Sequence, residues 1–226
     1  MMTDPISIIE KAQREGRKSL SEYESKKFLA SFGIPVCKEV LVENSEKAAQ
    51  EAEKMGFPVV LKASGAKLTH KTEAGAVVIN LKSAEEVKKE GQRLLSIDGC
   101  EALSVQEMVP GNRELVCGLT RDPHFGPAVM FGLGGIFTEI LKDTVFRIAP
   151  LEKRDALEMM EEIRAKKILE PFRGEKGADK EILAKTLMAL GEIGLKYEAV
   201  AEIDINPLKI RPDGMPVAVD ALIILS

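Results

Sequence analysis

Apolar residues along this chain recur at two spacings, and the alternation between them predicts its elements. Returns every third or fourth residue mark helices; alternating or unbroken short runs mark strands. Asp4-Pro5 opens a first helix with proline in the first helical position. Ser21-Glu22-Tyr23-Glu24 has the form of a capping box and opens a second helix, which Gly33 and Pro35 stop. Glu39–Val42 suits a strand. From Ser45 onward, Ala48, Ala49, Ala52 and Met55 share one helix face, and Gly56 ends it. Phe57–Ala63 and Gly75–Leu81 read as strands, and the intervening segment 64–73 (SGAKLTHKTE) has neither spacing and reads as an exposed loop. Ser83–Glu86 is a second capping box, before a helix lined by Ala84, Val87, Gly91 and Leu94.

A strand-rich stretch follows. Leu103–Val109, Leu115–Thr120, Pro127–Phe131 and 143–149 read as an antiparallel sheet. Helices are expected at 152–164 and 178–194, the latter with Ile182, Leu183, Leu187, Leu190 and Ile193 at helical spacing. Ala199–Ile205, Leu208–Arg211 and, after a Pro212-Asp213-Gly214 turn, Val217–Leu222 read as three short strands. The organisation is α+β in two lobes joined near 105–110, with 1–105 and 106–226 as their extents.

Composition narrows the function. With 226 residues, 45% hydrophobic and 30% charged, the chain can bury roughly 70% of its unfolded surface without a disulfide or structural metal. Lys+Arg 32 against Asp+Glu 36 gives a net charge of −4, which argues against a nucleic-acid partner but leaves room for a nucleotide pocket. Cys37, Cys100 and Cys117 form no CxxC, and two histidines cannot complete a Cys/His zinc set, so reduced thiols are expected. The N-terminus has no signal-peptide pattern, and the apolar stretches at Pro127–Phe137 and Val217–Leu225 are shorter than the about 18 residues a membrane span needs. A cytoplasmic protein with no membrane partner is expected.

The chain has neither a GxxxxGK[ST] loop nor a GxGxxG after an early strand, so a nucleotide must be held in another way. Lys62 ends an apolar strand; it is either a phosphate clamp or a solvated lysine. Glu107-Met108-Val109-Pro110-Gly111-Asn112-Arg113-Glu114 offers two carboxylates and a backbone hinge, fit for adenine and ribose, or a hairpin with surface glutamates. Alternation puts Glu202, Asp204 and Asn206 on one strand face, and Asp220 returns after the turn to pair beside them; such hard oxygen ligands either suit Mg²⁺ or are surface polar groups. His70 lies in the polar loop between Lys67 and Lys71, and is a nucleophile towards phosphorus or a solvated loop histidine. Gly132-Leu133-Gly134-Gly135 follows a strand as an anion nest or a tight turn. Arg147 and Arg173-Gly174 are candidate phosphate partners, and His124 marks a hairpin tip without a role.

In this order the pieces resemble an ATP-grasp module, and more closely the β subunits of ADP-forming acetyl-CoA synthetases. The resemblance runs from about Leu20 to Leu225 through LSEYESKKFLASFGIP, FPVVLKAS, THKTEAGAVVINL, VQEMVPGNRE, FGLGGIFTEILKD, FRIAPL, FRGEKGAD and AEIDINPL. It implies an ATP-grasp fold of two lobes with the nucleotide held between them, and the reversible reaction acyl-CoA + ADP + phosphate ⇌ acid + ATP + CoA. His70 then corresponds to the phosphohistidine on a swinging loop. Lys62 corresponds to the phosphate clamp, Glu107 and the Val109 backbone to the adenine contacts, and Glu114 to the ribose contact. Asn206 and Asp220, with Asp204 more weakly, correspond to the Mg²⁺ ligands; Gly134 lies at the nucleotide, and Arg147 steadies the moving phosphate. The resemblance also implies an α subunit carrying the CoA and acyl sites, in an α2β2 heterotetramer, because no CoA-binding domain is legible in this chain.

Two other readings stay open. The INPL segment followed by Asp220 also resembles the succinyl-CoA synthetase β chain, although that chain has no histidine in the early loop, and other ATP-grasp carboxylate ligases share the plan. A non-catalytic ATP-sensing subunit would bind nucleotide without transferring phosphate.

Overall fold

The computed structural model describes residues 5–65, 75–135 and 141–226. The chain divides into two compact units, one of Cys37–Met108 and one of Met1–Val36 with Val109–Ser226.

The smaller unit contains β1 (Glu39–Val42), α3 (Ser45–Met55), β2 (Val59–Ser64), β3 (Val77–Leu81), α4 (Ala84–Leu95) and β4 (Ala102–Glu107); α1 (Pro5–Arg14) and α2 (Glu22–Ala30) precede it in the chain. Its sheet has the order β1-β4-β2-β3 and is antiparallel throughout. Ala48 and Ala52 of α3 and Val87 and Leu94 of α4 pack on Val59, Leu61, Ala63, Leu103 and Val105, the residues of one parity on β2 and β4. Asn44 caps α3 by accepting the Lys47 N–H at 2.9 Å. Ser83 caps α4 by accepting from Glu86 at 3.2 Å, while the Glu86 carboxylate takes the N–H of Lys82, one residue earlier than a capping box requires.

The larger unit continues with β5 (Arg113–Asp122), β6 (Gly126–Leu133), β7 (Thr144–Ile148), α5 (Lys153–Glu162), a 3₁₀ turn (Lys166–Leu169), α6 (Lys180–Lys196), β8 (Val200–Ile210), β9 (Pro216–Ala218) and β10 (Leu222–Leu225). The strands form a six-stranded antiparallel sheet, β10-β8-β5-β6-β7, with β9 on β8. One face is covered: Leu115, Cys117, Leu119, Val129, Ile203 and Ile205 pack with Met159 and Met160 of α5 and with Leu183, Leu187 and Leu190 of α6.

The expected lobe extents of 1–105 and 106–226 differ from these units at the N-terminus. Ile8, Ile9, Leu20, Phe28 and Leu29 are buried in the same core as β5, β8 and α6. Leu20 donates its N–H to Ile223 of β10 at 2.9 Å. The first 36 residues therefore belong with the C-terminal part, a long-range choice that helical periodicity does not encode. Ser21 and Glu24 do form a reciprocal capping box, at 3.3 and 2.9 Å.

A second difference concerns Asn206-Pro207. Two strands were expected around it, but β8 runs through it without a break. Proline supplies no N–H to the ladder, and the chain absorbs this by a register shift between Leu115 and Cys117 of β5 opposite it. Conversely, the expected strand Val217–Leu222 is two strands, and Asp220 lies between them.

Among the described residues no helix is long and apolar enough to cross a membrane. Cys37 and Cys117 are buried and Cys100 is half-buried, all three as thiols. Burial, with a smaller contribution from the Asp204 charge, pushes the Cys117 thiol far up, so it stays protonated and unreactive.

Candidate functional site

Strand parity separates folding from chemistry in the smaller unit. Leu61 and Ala63 point to the helices, so Lys62 between them points to the opposite face, across from Ser104 of β4 and Val77 of β3. Lys62 is only 6% exposed, and Ser104 and Gln106 of the same parity on β4 are 3% and 1% exposed. Ser104 Oγ donates to the Glu39 carboxylate. Lys62 is therefore a buried cation in a polar row, not a solvated strand end. Sequence reading missed Ser104 and Gln106; the signal was their alternation with Leu103 and Val105 in ALSVQE. At the end of β4, Glu107 donates its N–H to the Lys38 carbonyl at 3.0 Å and accepts the Lys38 N–H on its carboxylate at 2.8 Å. Val109 is buried and begins the second segment of the larger unit.

In the larger unit the carboxylates lie on the sheet face turned away from α5 and α6. Ile203 and Ile205 point to the helix side, so Glu202, Asp204 and Asn206 share the other. Asp204 stands across from Gly118 of β5 and Leu222 of β10. A side chain at Gly118 would collide with the Ile203 carbonyl, so the neighbouring strand presents only backbone beside Asp204. Two pairings bring Asp220 alongside Asn206: Leu222 opposite Asp204 on one side, and the Val219 N–H donating to the Pro207 carbonyl at 3.0 Å on the other. Burial first, then the charges of Glu202 and Asp220, raise the Asp204 carboxyl above its ordinary value.

Asn206 is also a bracket. Its Oδ1 accepts the Gly135 N–H at 3.2 Å. Gly134 donates its N–H to the Glu114 carbonyl at 2.9 Å, and Leu133 donates to the Asp143 carbonyl at 3.0 Å. Three successive amides, those of Leu133, Gly134 and Gly135, thus donate to protein acceptors, as in the tight-turn alternative for Gly132–Gly135. The glycines serve close approach: a Cβ at Gly134 would collide with the Leu115 backbone, and one at Gly135 with the Glu114 carboxylate. Glu114 itself is half-exposed on β5, across from Lys209, whose ammonium is 3.9 Å away.

Arg147 lies on the other face. It pairs in register with Val129, and Val129 with Leu119, so it lies on the helix side of the sheet, opposite to Asp204. There it binds the Glu162 carboxylate of α5, and that bond holds the guanidinium pKa up. Arg173 and Gly174, both with positive φ, form the tip of a two-residue turn closed by Phe172 and Glu175. His124 is at the exposed β5–β6 hairpin tip, as expected. His70 and most of the loop 64–73 lie outside the described residues.

The donor set at β8 fits a magnesium ion. Asn206, Asp220 and Asp204 are hard oxygen donors; burial is the main reason the Asp204 carboxyl is raised, and the smaller contribution from the Glu202 and Asp220 charges is what a divalent cation would offset. Among the described residues there is no group of three or more His, Cys, Asp or Glu arranged to hold a metal by themselves. Mg²⁺ commonly takes one or two carboxylates and completes its shell with water and phosphate oxygens, so the smaller set suffices.

Comparison with known proteins supplies the family. Residues 11–225 match the family model described as an ATP-grasp domain. The chain is 44% identical over 225 residues to the acetate–CoA ligase [ADP-forming] I subunit beta of Pyrococcus furiosus, covering 96% of each chain. It superposes on acetyl-coenzyme A synthetase 1 of Ca. Korarchaeum cryptofilum with a TM-score of 0.88 and 43% identity, over 99% of this chain and 100% of that one. That structure holds coenzyme A and Mg-AMPPCP with its phosphohistidine segment pointing towards the nucleotide binding site. In another structure of the same protein, matched at a TM-score of 0.89 and 41% identity over 99% of this chain and 100% of that one, the segment is phosphorylated and in a site I orientation.

Proposed function

Because the chain belongs to the ATP-grasp family, among the β subunits of ADP-forming acetate–CoA ligases, we propose that it is the nucleotide-side subunit of an acid–CoA ligase. It catalyses the phosphate-transfer half of acyl-CoA + ADP + phosphate ⇌ acid + ATP + CoA. The carrying observation is the register that sets Asp220 beside Asn206, two residues from Asp204 on the same face in the middle of β8.

In this reading His70 receives a phosphoryl group and delivers it to ADP. The P–N bond of the phosphohistidine breaks, a β-phosphate oxygen of ADP forms the new P–O bond, and the electron pair returns to the imidazole. Lys62 neutralises phosphate charge from a buried position, where a cation acts with little screening. Glu107 and the Val109 backbone bind adenine, and Glu114 binds the ribose hydroxyls. Asn206 and Asp220, supported by Asp204, hold Mg²⁺, which when bound offsets phosphate charge. Gly134 also holds the Glu114 strand end in place, and Arg147 would have to leave the Glu162 carboxylate to steady a phosphate. The CoA and acyl sites belong to an α partner in an α2β2 assembly in the cytoplasm, so the choice of acid is made there.

The test is transfer of label from γ-phosphate-labelled ATP to the chain, with and without the partner. The expected product is acid-labile and base-stable, as a P–N bond requires, and disappears in His70→Ala. Label that persists in His70→Ala overturns the relay. Nucleotide binding with no label in either condition points instead to a sensing subunit.

A further inference from the structure

We propose that Lys26, buried in α2, is a positioning residue for Asp220, and that Glu22 keeps its charge from opposing the metal. This rests on the reading of Asn206 and Asp220 as magnesium ligands. Lys26 is 2% exposed and Glu22 9% exposed, and they pair one helical turn apart with Nζ–Oε1 at 2.9 Å. A buried ion pair is a poor device for stability, because desolvating both ions offsets their attraction and apolar replacements are often neutral or better. Its position suggests a different purpose.

Lys26 Nζ also donates to the Val219 carbonyl at 3.2 Å. That oxygen belongs to the planar peptide unit joining Val219 to Asp220, so fixing it fixes the plane from which Asp220 departs. The Val219 N–H is meanwhile held by the carbonyl of Pro207, the residue after Asn206, at 3.0 Å. Val219 is thus gripped on both sides, and each grip adjoins one of the two proposed ligands. The grip is needed because residues 219–221 fall between β9 and β10, outside the regular ladder that would otherwise set them. An ammonium alone so close to the site would repel a divalent cation; with Glu22 bound, the pair is neutral.

The experiment compares the full chain with Lys26→Met, with the double variant Glu22→Leu/Lys26→Met, and with Asp220→Asn. ADP binding is measured by calorimetry across a magnesium titration and again in chelator. Loss of an outer-shell support costs about tenfold in metal affinity, so the magnesium concentration for half-maximal ADP binding should rise about tenfold in both Lys26 variants. ADP affinity in chelator should stay within twofold of the parent. The double variant buries no lone charge, so it tests the idea even if Lys26→Met unfolds. A magnesium dependence within twofold of the parent in the folded double variant overturns the proposal, as does an equal loss with and without magnesium, which would mark a structural role only. If Asp220→Asn shifts the magnesium dependence and the double variant does not, Lys26 alone is misassigned. If Asp220→Asn also leaves it unchanged, the metal-site reading fails and the proposal with it.

Discussion

The two units solve the same architectural problem and present opposite chemistry. Each is an antiparallel sheet with helices packed on one face. In the smaller unit the other face carries a buried cation, Lys62, in a row with Ser104 and Gln106. In the larger unit the corresponding face carries Glu202, Asp204 and Asn206, with Asp220 beside them. In the proposed reading, one sheet would offer positive charge to phosphate, and the other oxygen to a metal. In both, a strand residue facing the helices folds the protein and the next one is the one proposed for chemistry.

That rule can be broken at neighbouring positions. The largest effect is expected for Lys62→Met: about 100- to 1,000-fold lower kcat/KM for the nucleotide, as for loss of a preorganised charge donor. The loss of activity should exceed any loss of stability, read by thermal unfolding of the same variant; a loss of activity explained by unfolding alone would refute the separation. Leu61→Ala, one residue earlier and facing the helices, should cost about 2–5 kcal/mol in denaturant unfolding while the folded fraction binds nucleotide normally. The same contrast in the larger unit pairs Ile205 with Asn206. Ile205→Ala should lose about 2–5 kcal/mol of stability, whereas Asn206→Ala, which removes a proposed ligand itself, should raise the magnesium needed for half-maximal activity by more than the about tenfold expected for an outer-shell loss.

The smallest effect concerns acid stability. Asp143 is buried, which by itself raises its carboxyl, but N–H bonds from Arg164 and Ala165 and the Arg164 guanidinium outweigh burial and hold it below its ordinary value. A carboxyl depressed in the folded state stabilises fully above its unfolded pKa and loses that contribution as pH falls through the folded one. Asp143→Asn should therefore be about 1–2 kcal/mol less stable than the parent at neutral pH, with the gap closing under acid. A gap constant down to strongly acidic pH would count against the charged role of Asp143.

Much of this was legible from local pattern. The alternation of Glu202, Asp204 and Asn206 follows from strand geometry alone, and the Ser21 capping box needs only four residues. Arg147 shows where local pattern misleads. In Thr144–Ile148 the apolar Phe146 and Ile148 look like the inward residues, yet they are 50% and 45% exposed, and Arg147 takes the helix side with Glu162. Parity within a strand is a sequence property; which parity meets the helices depends on pairing with Val129 across the sheet. The amides of Gly134 and Gly135 are a similar case, because their acceptors, Glu114 and Asn206, are distant in sequence.

The amino-acid sequence alone determined the element types, the alternating faces and the chemical identity of the candidate ligands, because these depend on spacing within a few residues. Only the tertiary structure decided that the first 36 residues join the larger core, that Lys62 is buried, and that Lys26 reaches the peptide before Asp220. Those facts depend on contacts between segments far apart in the chain, which are selected by the packing of the whole core and leave no trace in any local spacing.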